Sequence, residues 1–245
     1  MNLILLFEED FISENEVRLT GRRLEHVTNV HRAAAGDSLV VGVAGGKIGT
    51  GLVTRIDPHA LEMQITLSND PPKPLPLTLV LALPRPKVLN RVIAGATSLG
   101  VKRIHLINAW RVEKSYWKSP KLWAENLLLQ RVIGLEQAKD TILPQIELHR
   151  FFRQFIENRG AAGFSLPALG GLKPAAPQLL VAHPRANEEC PRSVEGPTTL
   201  AIGPEGGFIE EEIASFVRAG FTPVTLGARV LRVETAVAAL IGRLY

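Results

Sequence analysis

The chain has 245 residues, enough for one large domain or two modest ones with a buried core. Hydrophobic residues make up 46% and charged residues 21%, and the single cysteine, Cys190, has no intrachain partner, which excludes disulfide-framework, collagen-like and wholly disordered classes. No apolar run approaches the roughly 20 residues of a membrane span, and Met1–Phe7 is short and lacks the basic start of a signal peptide, so a soluble, cytoplasmic protein without membrane contact is expected.

The formal charge of +4 is unevenly distributed, with net −4 over residues 1–72, +9 over 73–131 and −1 over 132–245. The +9 stretch also holds Trp110, Tyr116, Trp117 and Trp123. Cations displace counterions from phosphates and aromatic faces stack on bases, so this is the composition of a nucleic-acid surface. The alternative is a solvated lysine face over core tryptophans.

The first elements are short apolar stretches, Asp37–Val43, Lys47–Ile56 and Ala60–Leu67, separated by turns at Gly36, Gly45–Gly46 and Asp57–Pro58. They predict a small β-barrel domain over residues 1–70. Pro71, Pro72, Pro74 and Pro76 then mark a linker.

From residue 74 to 245, strands alternate with helical patterns. Strand Leu77–Leu83 is followed by a helix near Val88–Leu99, strand Arg103–Ala109 and a long helix near Pro120–Ala138. A short helix near Phe151–Asn158 and a loose surface loop over Gly160–Pro177 come next. Strands Gln178–His183, Thr198–Ile202 and Pro223–Leu226 follow, with helices near Glu210–Arg218 and Thr235–Leu244. Such βα alternation predicts an α/β fold with a parallel sheet covered on both faces, whose ligands bind beyond the carboxyl ends of its strands. On the long helix Trp123 is expected in the core with Leu127, whereas Trp110, Tyr116 and Trp117 are expected in a loop that stacks on bases.

Three strand-end segments stand out. Ala201-Ile-Gly-Pro-Glu-Gly-Gly-Phe208 connects a strand to a helix that opens with Glu210, Glu211 and Glu212, acids that suit its macrodipole. It is not a phosphate loop, because Gly203–Gly207 has neither the P-loop nor the dinucleotide spacing and Glu205 stands where phosphate would sit. A neutral or cationic small molecule fits better, with Gly206 or Gly207 at positive φ or close to the ligand. Leu226-Gly-Ala-Arg-Val-Leu-Arg-Val-Glu-Thr-Ala236 turns at Gly227 and gathers Arg229, Arg232 and Glu234, and His183-Pro-Arg185 is the third loop. Each alone reads as an ordinary turn; three on one sheet point to a pocket. The six histidines are scattered and Cys190 is alone, so no metal ligation is expected.

Together Leu180-Val-Ala-His-Pro-Arg185, Ile202-Gly-Pro-Glu-Gly-Gly-Phe208 and Leu226–Ala236 closely resemble the RsmE family of 16S rRNA (uracil-N3)-methyltransferases in the SPOUT superfamily, in order and spacing. His26-Val-Thr-Asn-Val-His-Arg32, followed by Gly36-Asp37, is similar to the PUA-like barrel of that family. The resemblance implies a SPOUT-type parallel sheet with a C-terminal trefoil knot over 74–245, a PUA-like RNA-binding domain over 1–70, and a homodimer acting on 16S rRNA in the small ribosomal subunit. It implies S-adenosylmethionine held by His183, Ile202, Gly203, Pro204, Glu205, Gly206, Gly207, Leu226, Gly227 and Leu231. Candidate RNA contacts are Arg22, Arg23, Arg32, Arg111, Lys114 and Lys118.

The chain departs from the family where K-x-x-E-L-G-V reads Gly95-Ala-Thr-Ser-Leu-Gly-Val101, where Glu-Arg reads Trp110-Arg111, and where E-Q-x-G-R reads Glu136-Gln-Ala-Lys-Asp140. The cofactor loops are typical of the family and the substrate-facing segments are not. Methylating an imide nitrogen requires proton removal and stabilisation of charge on the flanking oxygens. Arg232 is the first candidate for that stabilisation, and Arg229 the second. Glu234 is available as a base or as a structural residue near a helix start; the alternative for Arg232 is a brace that fixes loop shape by pairing with Glu205 or Glu234. The competing reading is a diverged, non-catalytic SPOUT dimer that binds RNA.

Overall fold

The computed structural model describes residues 2–163 and 177–245. The chain forms two units, Met1–Lys73 with Arg131–Leu143, and Pro74–Gln130 with Pro144–Tyr245.

The first unit is built on β1 (Ile4–Leu6), β2 (Phe11–Ser13), β3 (Glu16–Leu19), α1 (Gly21–His26), β4 (Ser38–Val43), β5 (Ile48–Ile56) and β6 (Leu61–Asn69). The strands form a mixed sheet in the order β1-β4-β5-β6-β3-β2, parallel at β1–β4 and antiparallel elsewhere. Leu61, Met63 and Ile65 alternate inward on β6 and meet Val17, Leu19, Val41 and Val53, the period-2 pattern that pins register when one face is buried. Strands β1, β2 and β3 are only three or four residues long, too short for their period to show in the sequence.

Residues 131–143, expected with the C-terminal βα units, pack in this first unit, where Val132 and Leu135 meet Leu3 and Leu5. Glu136, 2% exposed, forms an ion pair with Arg22 at 2.9 Å. Burial pushes its carboxyl above the usual carboxylate range, against the pull of Arg22. Arg23 donates to both oxygens of buried Asp10, at 2.5 and 2.6 Å, and to the Leu5 carbonyl at 2.9 Å. The Arg22 and Arg23 guanidiniums, expected on RNA, each pair with a buried carboxylate of their own unit, while the Arg22 side chain stays exposed. Arg32 is exposed at a left-handed φ of 54°.

The second unit contains β7 (Leu77–Ala82), α2 (Pro86–Ser98), β8 (Arg103–Ile107), the start of α3 (Ala124–Ala138), β9 (Gln145–His149), α4 (Phe152–Gly163), β10 (Gln178–Ala182), β11 (Glu188–Glu189), β12 (Thr198–Ile202), α5 (Glu210–Arg218), β13 (Thr222–Thr225) and α6 (Val233–Leu244). Its sheet runs β11-β13-β10-β12-β7-β8-β9 and is parallel throughout. Every residue of central β7 and β12 is buried, as expected for parallel strands covered on both faces. The edge strands β9 and β11 are additions to the sequence reading: β9 has little buried apolar surface and β11 has two residues. Of the loop expected over Gly160–Pro177, helix α4 takes the residues up to Gly163 and residues 164–176 lie outside the described residues.

Two tryptophan assignments are reversed. Trp117 is buried, donates its indole N–H to Asn108 Oδ1 at 2.9 Å and carries the Arg150 guanidinium over its ring, so it is not a stacking platform. Trp123, expected in the core, is 63% exposed, because α3 begins at Ala124 and leaves it in the preceding turn. Trp110 is 79% exposed. No helix among the described residues is long and apolar enough to cross a membrane.

Candidate active site

Strand β10 lies between β12 and β13, and the register aligns Ala182 with both Ile202 and Val224. Three parallel strands thus end at one level, and the loops that leave them must share the space beyond. The result is a cavity of about 360 Å³, within the usual range for a small-molecule pocket.

From β10 come His183, Pro184 and Arg185; from β12, Gly203 to Phe208; from β13, Thr225, Leu226, Gly227, Arg229, Val230 and Leu231. Val233, Ala236 and Leu240 of α6 form an apolar wall. Most lining residues are apolar or glycine, and Arg111, Arg185, Glu205 and Arg229 are the charged ones. All ten residues assigned to the cofactor from the sequence line this cavity, together with Arg229 and Arg111. Arg232 and Glu234 do not line it, although Leu231 and Val233 beside them do.

Local chemistry shapes each loop. A Cβ at Gly203 would come within 2.9 Å of the Phe208 nitrogen and 3.1 Å of Gly207 backbone atoms, so the β12 loop closes on itself only because position 203 has no side chain. Gly207 takes φ of +72° and Gly227 of +107°. Gly206 does not use the left-handed region; a Cβ there would meet the flexible Arg111 side chain. The Thr225 hydroxyl accepts from the Gly227 amide at 3.1 Å and donates to the Gly227 carbonyl at 3.2 Å, holding the third turn.

Three residues position these loops through contacts that the sequence does not reveal: Glu212, Arg111, expected instead on RNA, and Glu205. Glu212, 6% exposed, accepts from the Ile209 amide at 3.0 Å and from the Trp110 amide at 2.7 Å, tying the segment after β8 to the start of α5. The Arg111 guanidinium donates to the Gly206 carbonyl. Glu205 accepts from the Arg85 amide at 3.0 Å. The local signal for Glu212 is a carboxylate three residues after a helix N-cap; nothing local reveals its bond to Trp110.

Arg232 is the N-cap of α6, with an exposed side chain that makes no cap hydrogen bond and no salt bridge among the described residues. A cation at a helix N-terminus opposes the macrodipole, so this arginine is not explained by the stability of α6. Glu234 pairs with Arg91 of α2 at 3.0 Å. Its own amide, Arg91 and the charge of Arg232 hold its carboxyl below the usual carboxylate range, so it is the charged form that these neighbours favour. Lys114 and Lys118 are exposed on a short 3-10 turn.

A family model described as RNA methyltransferase domain matches residues 71–245. Over 235 residues the chain is 28% identical to the Ribosomal RNA small subunit methyltransferase E of Synechocystis sp., covering 95% of this chain and 73% of that protein. Among solved structures, a putative methyltransferase from Legionella pneumophila in complex with the bound cofactor SAM is 24% identical with a TM-score of 0.73, covering 98% of this chain and 96% of that one. A Ribosomal RNA small subunit methyltransferase E from Neisseria gonorrhoeae bound to S-adenosyl methionine is 22% identical with a TM-score of 0.70, covering 98% and 95%. These two structures share the fold of this chain, and the resemblance read from the three loops is borne out across nearly its whole length.

Proposed function

Because the chain belongs to the RNA methyltransferase domain family, we propose that it transfers a methyl group from S-adenosylmethionine to N3 of a uridine of 16S rRNA in the small ribosomal subunit, as a cytoplasmic homodimer. The observation that carries this reading is the cavity formed by the three strand-end loops, whose β12 loop closes on itself because Gly203 has no side chain.

The donor set suits that cofactor. Apolar walls fit an adenine ring, backbone groups at Gly203–Gly207 and Leu226–Gly227 can read its polar edges, and the carboxylate of Glu205 favours a cation over a phosphate. When bound, S-adenosylmethionine supplies an electrophilic methyl on a sulfonium. The residues of this chain do the rest: the loops orient the donor, α6 excludes water, and Arg232, outside the cavity wall, meets the incoming base and holds charge on a uracil oxygen as N3 loses its proton. Arg229 stands second in that role.

A C-terminal trefoil knot belongs to this reading and is compatible with β10 lying between β12 and β13. The mixed sheet of the first unit supports a PUA-like RNA-holding domain, and 78%-exposed Val230 at the site rim fits a dimer surface there. A second reading, RNA binding without catalysis, draws on α2: the Ser98 hydroxyl donates to the Gly95 carbonyl at 2.8 Å, leaving that helix face uncharged where the family has Lys and Glu.

Mass-spectrometric mapping of rRNA from cells with and without the protein separates the two. Loss of one 3-methyluridine from 16S rRNA is expected. An unchanged modification map together with retained RNA affinity would select the binder.

RNA docking is tested apart from chemistry by replacing Lys114 and Lys118 with alanine. Each lost phosphate contact should weaken RNA binding and reduce the salt slope by about 1, with unaltered affinity for S-adenosylmethionine. Parental RNA affinity and slope would make this turn a solvated face.

A further inference from the structure

Away from the cavity, three metal-ligand side chains converge at the β8–β9 edge of the sheet. His105 on β8 pairs in register with Glu147 on β9. His149 lies two residues further along β9, so the pleat directs all three side chains to one face. His105 Nδ1 and His149 Nε2 are 3.1 Å apart. One Glu147 carboxylate oxygen stands 3.6 Å from the first and 3.4 Å from the second. His105 is 4% exposed, and the Phe155 ring of α4 packs on both imidazoles, with centroids 5.9 and 4.8 Å away.

These separations distinguish ligation from hydrogen bonding. Hydrogen bonds between nitrogen and oxygen span about 2.7–3.2 Å, so Glu147 is too distant to bond either imidazole, although its oxygen lies nearly equidistant from both. One proton between the rings accounts for the 3.1 Å contact. Three ligand atoms on a tetrahedral zinc, each about 2.0–2.2 Å from the ion, lie roughly 3.3–3.5 Å from one another. The observed triangle of 3.1, 3.4 and 3.6 Å has those dimensions.

We propose that His105 Nδ1, His149 Nε2 and a Glu147 oxygen form a site for a divalent first-row transition cation of the zinc class, with the fourth position open to water. Imidazole and carboxylate are the donors such ions prefer. None of the three residues lines the cofactor cavity, so the site is independent of the methyl-transfer reading. Its consequence is mechanical: β9 is the last strand of the sheet, and an ion shared by β8 and β9 joins that edge to its neighbour and stabilises the folded unit by mass action.

Calorimetry of the chelator-treated full chain with zinc, and visible spectroscopy with Co²⁺ as the probe, tests the proposal. One ion per chain is expected, with Co²⁺ giving the intense absorption of a four-coordinate site. His149→Ala and Glu147→Gln lie on the partly exposed edge strand and should each weaken zinc binding by about 100-fold or more, with circular dichroism and S-adenosylmethionine affinity unchanged. The proposal is overturned if the parent chain takes up no stoichiometric zinc. It is equally overturned if either variant binds zinc as the parent does, which would place the ion elsewhere, for instance at His26 and His31.

Discussion

Arg232→Ala is expected to slow single-turnover methyl transfer by roughly 10²–10³-fold, the usual effect of removing one donor to a developing oxyanion, with little change in affinity for S-adenosylmethionine. The split follows from position. Leu231 and Val233 line the cavity and Arg232 between them does not, so on the proposed reading its side chain acts on the acceptor and not on the donor. In the bracing role, the partner would be Glu234, whose carboxyl feels the charge of Arg232 as well as its pair with Arg91, whereas Glu205 accepts from the Arg85 amide. A guanidinium stays charged at any working pH, and its planar fork places two donors on one oxygen-bearing edge, so lysine should restore activity only in part. If the alanine variant instead loses cofactor affinity or thermal stability in step with its activity, Arg232 is a brace for α6, and the anion-stabilising group must be sought at Arg229.

The second large effect is expected in the β12 loop. Gly203→Val should weaken S-adenosylmethionine binding by about 10–100-fold, because a Cβ at 2.9–3.1 Å from loop backbone forces the turn open. Overpacking of this kind costs roughly 1–3 kcal/mol, and each 1.4 kcal/mol is tenfold in affinity. Gly206→Val, at the position that sequence reasoning singled out alongside Gly207, should do less, since it meets only the movable side chain of Arg111. Gly95→Ala is the internal control: it lies within α2, with nothing within 4 Å of a new Cβ, and should leave cofactor binding untouched. Equal affinities for the Gly203 and Gly95 variants, measured by calorimetry, would remove the β12 loop from the cofactor site.

The sequence alone was enough for the parallel sheet, the order of its central elements and the loops that form the cavity. The reason is local: β7 and β12 are continuous apolar runs because both faces are buried, and the glycines of the β12 and β13 loops occur where backbone geometry excludes a side chain. Composition likewise located the basic turn at Lys114–Lys118, because charge that remains solvated is visible in the sequence itself.

What depends on long-range pairing was decided by tertiary structure. Arg22 and Arg23 pair with buried Glu136 and Asp10, partners that composition could not show. Trp117 and Trp123 exchanged roles because a hydrogen-bond partner nine residues away and the start of a helix determine burial, not aromaticity. Glu234 gains an ion pair with an arginine 143 positions earlier. His105 and His149, scattered along the chain, meet because β8 and β9 pair in parallel. A residue's type sets which interactions it can make; which partner reaches it, and whether water does, is fixed only when distant segments pack.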